Sequence, residues 1–188
     1  MSIFSFFKNG SLTPRWSYAC EGILWRMLFS KRGRLLGEAR NPETKRATFF
    51  CLNERDGEPF WKDKSFAEPW WIGIEDITDD FIFFHTFIKP DMPQHAGVIA
   101  CSVSDGGELW KESRYTFIHA ENDKVYVSKE GFEDIRYYAL ENESGKILED
   151  LGNDAGIINH FRSEELDAAR YADYRYPSPF HASHPEYA

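Results

Sequence analysis

Six histidines, three cysteines, six tryptophans and 31 acids are the residues of this 188-residue chain that could do chemistry. His181-x-x-His184 with Glu186 offers zinc ligand types, but it lies in a proline-broken tail without the helical spacing that fixes a His-Glu-x-x-His site. His85 stands in the apolar run FIFFHTF and is expected to be a satisfied sheet histidine, as is His119. Trp70 and Trp71, after Pro69, could stack on a sugar or an aromatic ligand; neighbouring strand residues face opposite ways, so at most one of them lines a given pocket. Asp76, Asp79 and Asp80 follow Glu75 without the spacing of a calcium loop, and they read as a solvated acidic turn. His85, His95, Asp91 and Trp70 or Trp71 are the residues from which a ligand pocket could be assembled. The chain has no nucleophile elbow, phosphate loop or dinucleotide fingerprint, and no catalytic residue, metal site or cofactor is expected.

A repeated frame must position these residues. FCLNERDGEPFW (50–61), IACSVSDGGELW (99–110) and YALENESGKILE (138–149) align without a gap. Cys51, Ala100 and Ala139 open the frame, followed by Asn53, Ser102 and Glu141, then Gly57, Gly106 and Gly145. Trp61 and Trp110 close two copies, and Glu149 stands in that place in the third. Such a frame describes a strand, a turn whose glycine takes positive φ, and a returning strand with a large aromatic. The glycines lie 49 and 39 residues apart, close to the length of a four-stranded propeller blade such as those of WD40 proteins. Strand-like runs fall into three groups of four: 25–30, 34–40, 46–53 and 58–62; 70–76, 81–87, 97–104 and 108–113; 115–120, 124–129, 135–142 and 146–151.

The frame resembles the tryptophan-docking repeat of quinoprotein (PQQ-like) β-propellers over roughly residues 16–150. More loosely, EPWWIGIEDITDDFIFFHTF with Pro93, Gly97 and the DGGELW turn is similar to an uncharacterised bacterial domain-of-unknown-function family. The first resemblance implies a mainly β fold of about three four-stranded antiparallel blades, as a partial propeller or a closed meander. It implies no enzyme, since PQQ dehydrogenases are larger, complete rings with a calcium site and, in many, vicinal cysteines. Three organisational segments are expected: an N-terminal arm (1–15), the β-repeat domain (16–151), and a C-terminal helix, centred on 163–174, with an irregular tail (152–188).

Three blades do not close a ring. The strands could form a barrel or sandwich, two chains could pair, or the chain could be part of a longer ancestral propeller capped by its helix and tail. Composition bears on partners. Net charge is −9, with +6 in residues 1–46 and −15 in the remainder, which opposes nucleic-acid binding and makes a protein partner or a homo-oligomer plausible. The first residues lack the pattern of a signal peptide or membrane span, and three cysteines without a C-x-x-C motif fit a cytoplasmic location. The leading expectation is a non-catalytic interaction module. The alternative is a small-ligand-binding protein or enzyme with a pocket near His85, Asp91 and His95.

Overall fold

The computed structural model describes residues 14–87, 94–121, 123–132, 134–156 and 158–160. It divides into two compact units, Met1–Asn153 and Asp154–Ala188. In the second unit, helical residues occur at 155–156 and 158–160. The expected helix over 163–174, the residues His181, His184 and Glu186, and nearly all of the arm 1–15 lie outside the described residues.

The first unit is three separate four-stranded antiparallel sheets, each a simple up-and-down meander. Sheet one holds β1 (Ile23–Phe29), β2 (Arg34–Asn41), β3 (Arg46–Asn53) and β4 (Pro59–Lys64). Sheet two holds β5 (Ile72–Ile77), β6 (Phe81–Phe87), β7 (His95–Ser102) and β8 (Glu108–Glu112). Sheet three holds β9 (Thr116–Ala120), β10 (Lys124–Glu130), β11 (Ile135–Glu141) and β12 (Ile147–Gly152). The sheets share no hydrogen-bonded strand pair, which sets aside the closed meander in favour of propeller-like blades. Trp70 and Trp71 precede β5 instead of starting it: the Glu68 carboxylate accepts from both of their backbone N–H groups, at 3.0 and 2.9 Å, and holds them in a turn.

Alternation along the strands puts one apolar set on each face. Leu36, Phe49 and Cys51 of sheet one pack on Ile72, Ile74, Phe84 and Cys101 of sheet two. From the other face of sheet two, Phe83, Val98 and Ala100 pack on Val125, Val127 and Leu140 of sheet three. The central sheet is thus apolar on both sides, as WWIGI and FIFFH suggest. The outer face of sheet one, with Leu35, Ala39, Phe50 and Leu52, is covered by Trp16, Tyr18 and Cys20 of the same chain.

The three repeated turns are built alike. Gly57, Gly106 and Gly145 all have φ near +70°. Their N–H groups donate to the carbonyls of Asn53, Ser102 and Glu141, whose own N–H groups donate to Glu58, Gly107 and Lys146. The indole of Trp61 lies over Gly106 in the next sheet and donates to the Val103 carbonyl at 2.8 Å. Trp110 lies over Gly145 and donates to Asn142 at 2.7 Å. Both indoles are half-buried rather than buried, since each caps a turn at the sheet margin; Glu149, in the third place, is exposed. Trp16 repeats the arrangement at the start of the stack. It lies over Gly57 and donates to Glu54 at 2.9 Å, although no repeat frame precedes it.

Charged side chains join the first two sheets. β5 is an edge strand whose free backbone groups would otherwise stay unpaired in the stack. Arg40 donates to the carbonyls of Trp70, at 2.9 Å, and Ile72, at 2.5 Å, and Arg26 donates to that of Ile74. The fully buried Glu38 accepts from the Ile74 N–H at 3.2 Å and from Arg40 Nε at 2.6 Å.

Candidate functional site

Two irregularities in sheet two shape its functional face. β5 carries a bulge between Ile74 and Asp76, which leaves Glu75 outside the paired register. β7 carries one at Gly97, whose φ is +75°, between the pairs His85–Val98 and Thr86–Ala96. Strand side chains alternate, so the extra residue at Gly97 shifts His95 opposite Phe87 and onto the face that His85 occupies. Gly73, paired with His85, makes room for the imidazole: a Cβ there would fall 2.9 Å from His85 Cε1.

The result is a carboxylate between two histidines from three consecutive strands. Glu75 Oε1 accepts from His95 Nδ1 at 2.8 Å and lies 3.1 Å from His85 Nδ1. Both imidazoles thus address the same oxygen of Glu75, the exposed one at the shorter distance. The sheet histidine expected at this position has Glu75 as its neighbour, and it shares that carboxylate with His95. The imidazoles stack with centroids 3.5 Å apart and planes 8° from parallel. Phe87 sets its ring edge against both, and Trp71 packs on Phe87. His85 is buried, whereas the His95 side chain is 36% exposed and opens the cluster to solvent. Burial pushes the Glu75 pKa up, but His85 and His95 more than offset this and hold it below the ordinary carboxylate range.

Trp70 is elsewhere, beside Arg40 and Lys45 at 5.2 and 5.0 Å, so one of the two tryptophans reaches the cluster as expected, though the bend before β5, not strand alternation, separates them. Asp91 lies outside the described residues. His119 stacks on Tyr126 in sheet three, apart from the cluster. The acidic turn is not simply solvated: Asp79 and Asp80 pair with Arg32 of the β1–β2 turn at 3.4 and 2.9 Å. Glu75 is the residue that sequence reading placed in that turn and did not join to the histidines. Its signal was parity, as it stands two residues from Gly73, the partner of His85. Among the described residues, Glu75, His85 and His95 form the group of three close donors able to hold a metal ion, their ligand atoms within 4.8 Å of one another. The expectation of no metal site rested on spacing along the chain, which does not register donors gathered by strand pairing.

A domain of unknown function (DUF4905) matches residues 29–110. That span contains Glu75, His85, His95 and the frames ending in Trp61 and Trp110, in keeping with the looser of the two resemblances. Among solved structures, the crystal structure of BamB from Moraxella catarrhalis is similar, with 14% identity and a TM-score of 0.46. The match covers 71% of this chain and 39% of that one, so the chain spans about two fifths of that structure's length. No curated protein matches. The separate four-stranded sheets and the docked tryptophans carry the blade-like reading on their own.

Proposed function

We propose that this chain is a non-catalytic binding module of the cytoplasm whose ligand site is the Glu75–His85–His95 cluster. The observation that carries this reading is the convergence itself: a buried imidazole, a carboxylate and a half-exposed second imidazole meet on one face. Two imidazoles that share one carboxylate oxygen, one of them open to solvent, fit a place where a ligand atom completes the set. Arg40 does not compete as an anion site, since its guanidinium is engaged by Glu38 and two carbonyls. The test is to follow the imidazole nitrogen signals of His85 and His95 by NMR against a panel of small polar compounds and ions. A saturable shift of both, lost in His95→Asn, is expected; signals unmoved by every member of the panel would overturn the reading.

A second reading is favoured by one further observation. Edge strand β1 exposes Ile23, Leu24, Trp25 and Met27, which together suit a protein partner or a second copy of the chain. Sedimentation over a concentration series should show self-association that Met27→Lys weakens. A monomer at every concentration would leave only a different protein as the occupant.

A further inference from the structure

We propose that Glu75, His85 and His95 bind a divalent transition-metal ion of the zinc, cobalt or nickel kind. The inference rests on the reading of the cluster as a ligand site and names what fills it. Two imidazole nitrogens and one carboxylate oxygen are a donor set that such ions take, with a further position left for water or a ligand atom. Calcium and magnesium prefer all-oxygen surroundings, and two nitrogens among three donors select against them.

Geometry supports the assignment. Donors around a four-coordinate zinc ion lie about 3.3 Å apart, given metal–ligand distances of about 2.0–2.1 Å. Here the nitrogens lie 3.1 and 2.8 Å from the carboxylate oxygen, close to that separation. One donor is fixed, because the His85 ring is packed against Gly73 and Phe87. Its buried Nδ1 faces the Glu75 oxygen, so an ion between them would keep both donors close to where they stand.

The rings themselves must move. An ion bonds a ring nitrogen near the plane of the ring, and it cannot lie in two parallel planes about 3.5 Å apart. Binding therefore swings His95, the exposed ring, away from His85 and ends their stacking. His95 Nδ1 now donates to Glu75, so its hydrogen moves to Nε2 by exchange with water before Nδ1 can ligate. Glu75 remains a carboxylate throughout and supplies the negative charge.

The test uses the full chain with His181→Asn and His184→Asn, which removes the tail's own candidate ligands. Cobalt(II) is added and followed by visible d–d absorption, and zinc binding is measured by calorimetry. One ion per chain is expected, with an absorption band characteristic of nitrogen and oxygen donors. His95→Asn and Glu75→Gln, both at partly exposed positions, should each weaken binding about 100-fold or more, since even groups supporting a ligand are worth about 10–100-fold. His119→Asn should bind as the parent does. Unsaturable binding, or binding indifferent to His95→Asn and Glu75→Gln in folded variants, would overturn the metal site. Should metals leave the His85 and His95 signals unmoved while an organic compound shifts them, the metal assignment fails and the ligand site stands; should nothing shift them, both fail.

Discussion

At the scale of single residues, burial and pairing set reactivity in opposite directions. Cys51 and Cys101 are fully buried, and burial pushes their thiols up to about 11 and about 12. The thiolate is the reactive form, so neither should alkylate at neutral pH in the folded protein. Mass spectrometry after iodoacetamide treatment should find modification confined to the half-buried Cys20, with all three modified on unfolding; equal labelling of Cys101 and Cys20 in native protein would contradict this. Glu112 moves the other way. Its hydrogen bonds to Arg114 hold the carboxyl down to about 2. A depressed carboxylate contributes stability that is present above its unfolded value and lost as pH falls through its folded value. Glu112 should therefore stay ionised until about pH 2, and Arg114→Ala should raise it toward the ordinary carboxylate range, as a carboxyl NMR titration would show. Neither effect is written in composition: the cysteines acquire theirs from the faces that strand alternation assigns them, and Glu112 from a neighbour two residues on.

At the scale of elements, the repeat was legible because its parts are local. A glycine at positive φ, a polar residue four positions earlier and an aromatic four positions later are fixed by one turn and two strands, so all twelve strands could be placed to within about three residues. The seat of each indole is one blade away, yet the spacing implied it. Trp16 was missed because position 12 is Leu, not Gly, so no frame marks it; the three-dimensional seat on Gly57 does. The functional cluster was half legible. His85 and His95 could be paired as candidates, but their common face depends on the Gly97 bulge, which strand-like sequence does not announce. Gly97→Val should disfavour positive φ and return His95 to the opposite face, abolishing the joint NMR response while the far-UV circular dichroism persists. Trp110→Ala should destabilise the fold toward the low end of the about 3–5 kcal/mol typical of large aromatic deletions, because the indole is only half-buried. A denaturation midpoint equal to the parent's would show that the docking carries no stability.

At the scale of the β-repeat unit, the charged seam and the docked indoles do different work. The buried Glu38 pairs with the half-buried Arg40 and also bonds the edge of β5, so Glu38→Ala removes the carboxylate from Arg40 and frees a backbone donor. A loss below the about 3–5 kcal/mol of a fully buried pair is expected, because Arg40 keeps its two carbonyls, and chemical denaturation checks it. None of this seam was foreseen, because Glu38 and Arg40 read as ordinary alternate residues of a strand until the edge of the next sheet lies beside them. The indoles, by contrast, give the stack a polarity. Each leans on the turn of the blade that follows, and Trp16 supplies the same service to the first blade, while Glu149, in the matching place of the third, is exposed. Support passes along the chain in one direction, like tiles laid so that each overlaps the next. Loss of the third blade would unseat Trp110 alone, whereas loss of the first would unseat Trp16 and take Trp61 away from the second. Hydrogen exchange should therefore fray from β12 inward, with the β2–β3 amides exchanging last.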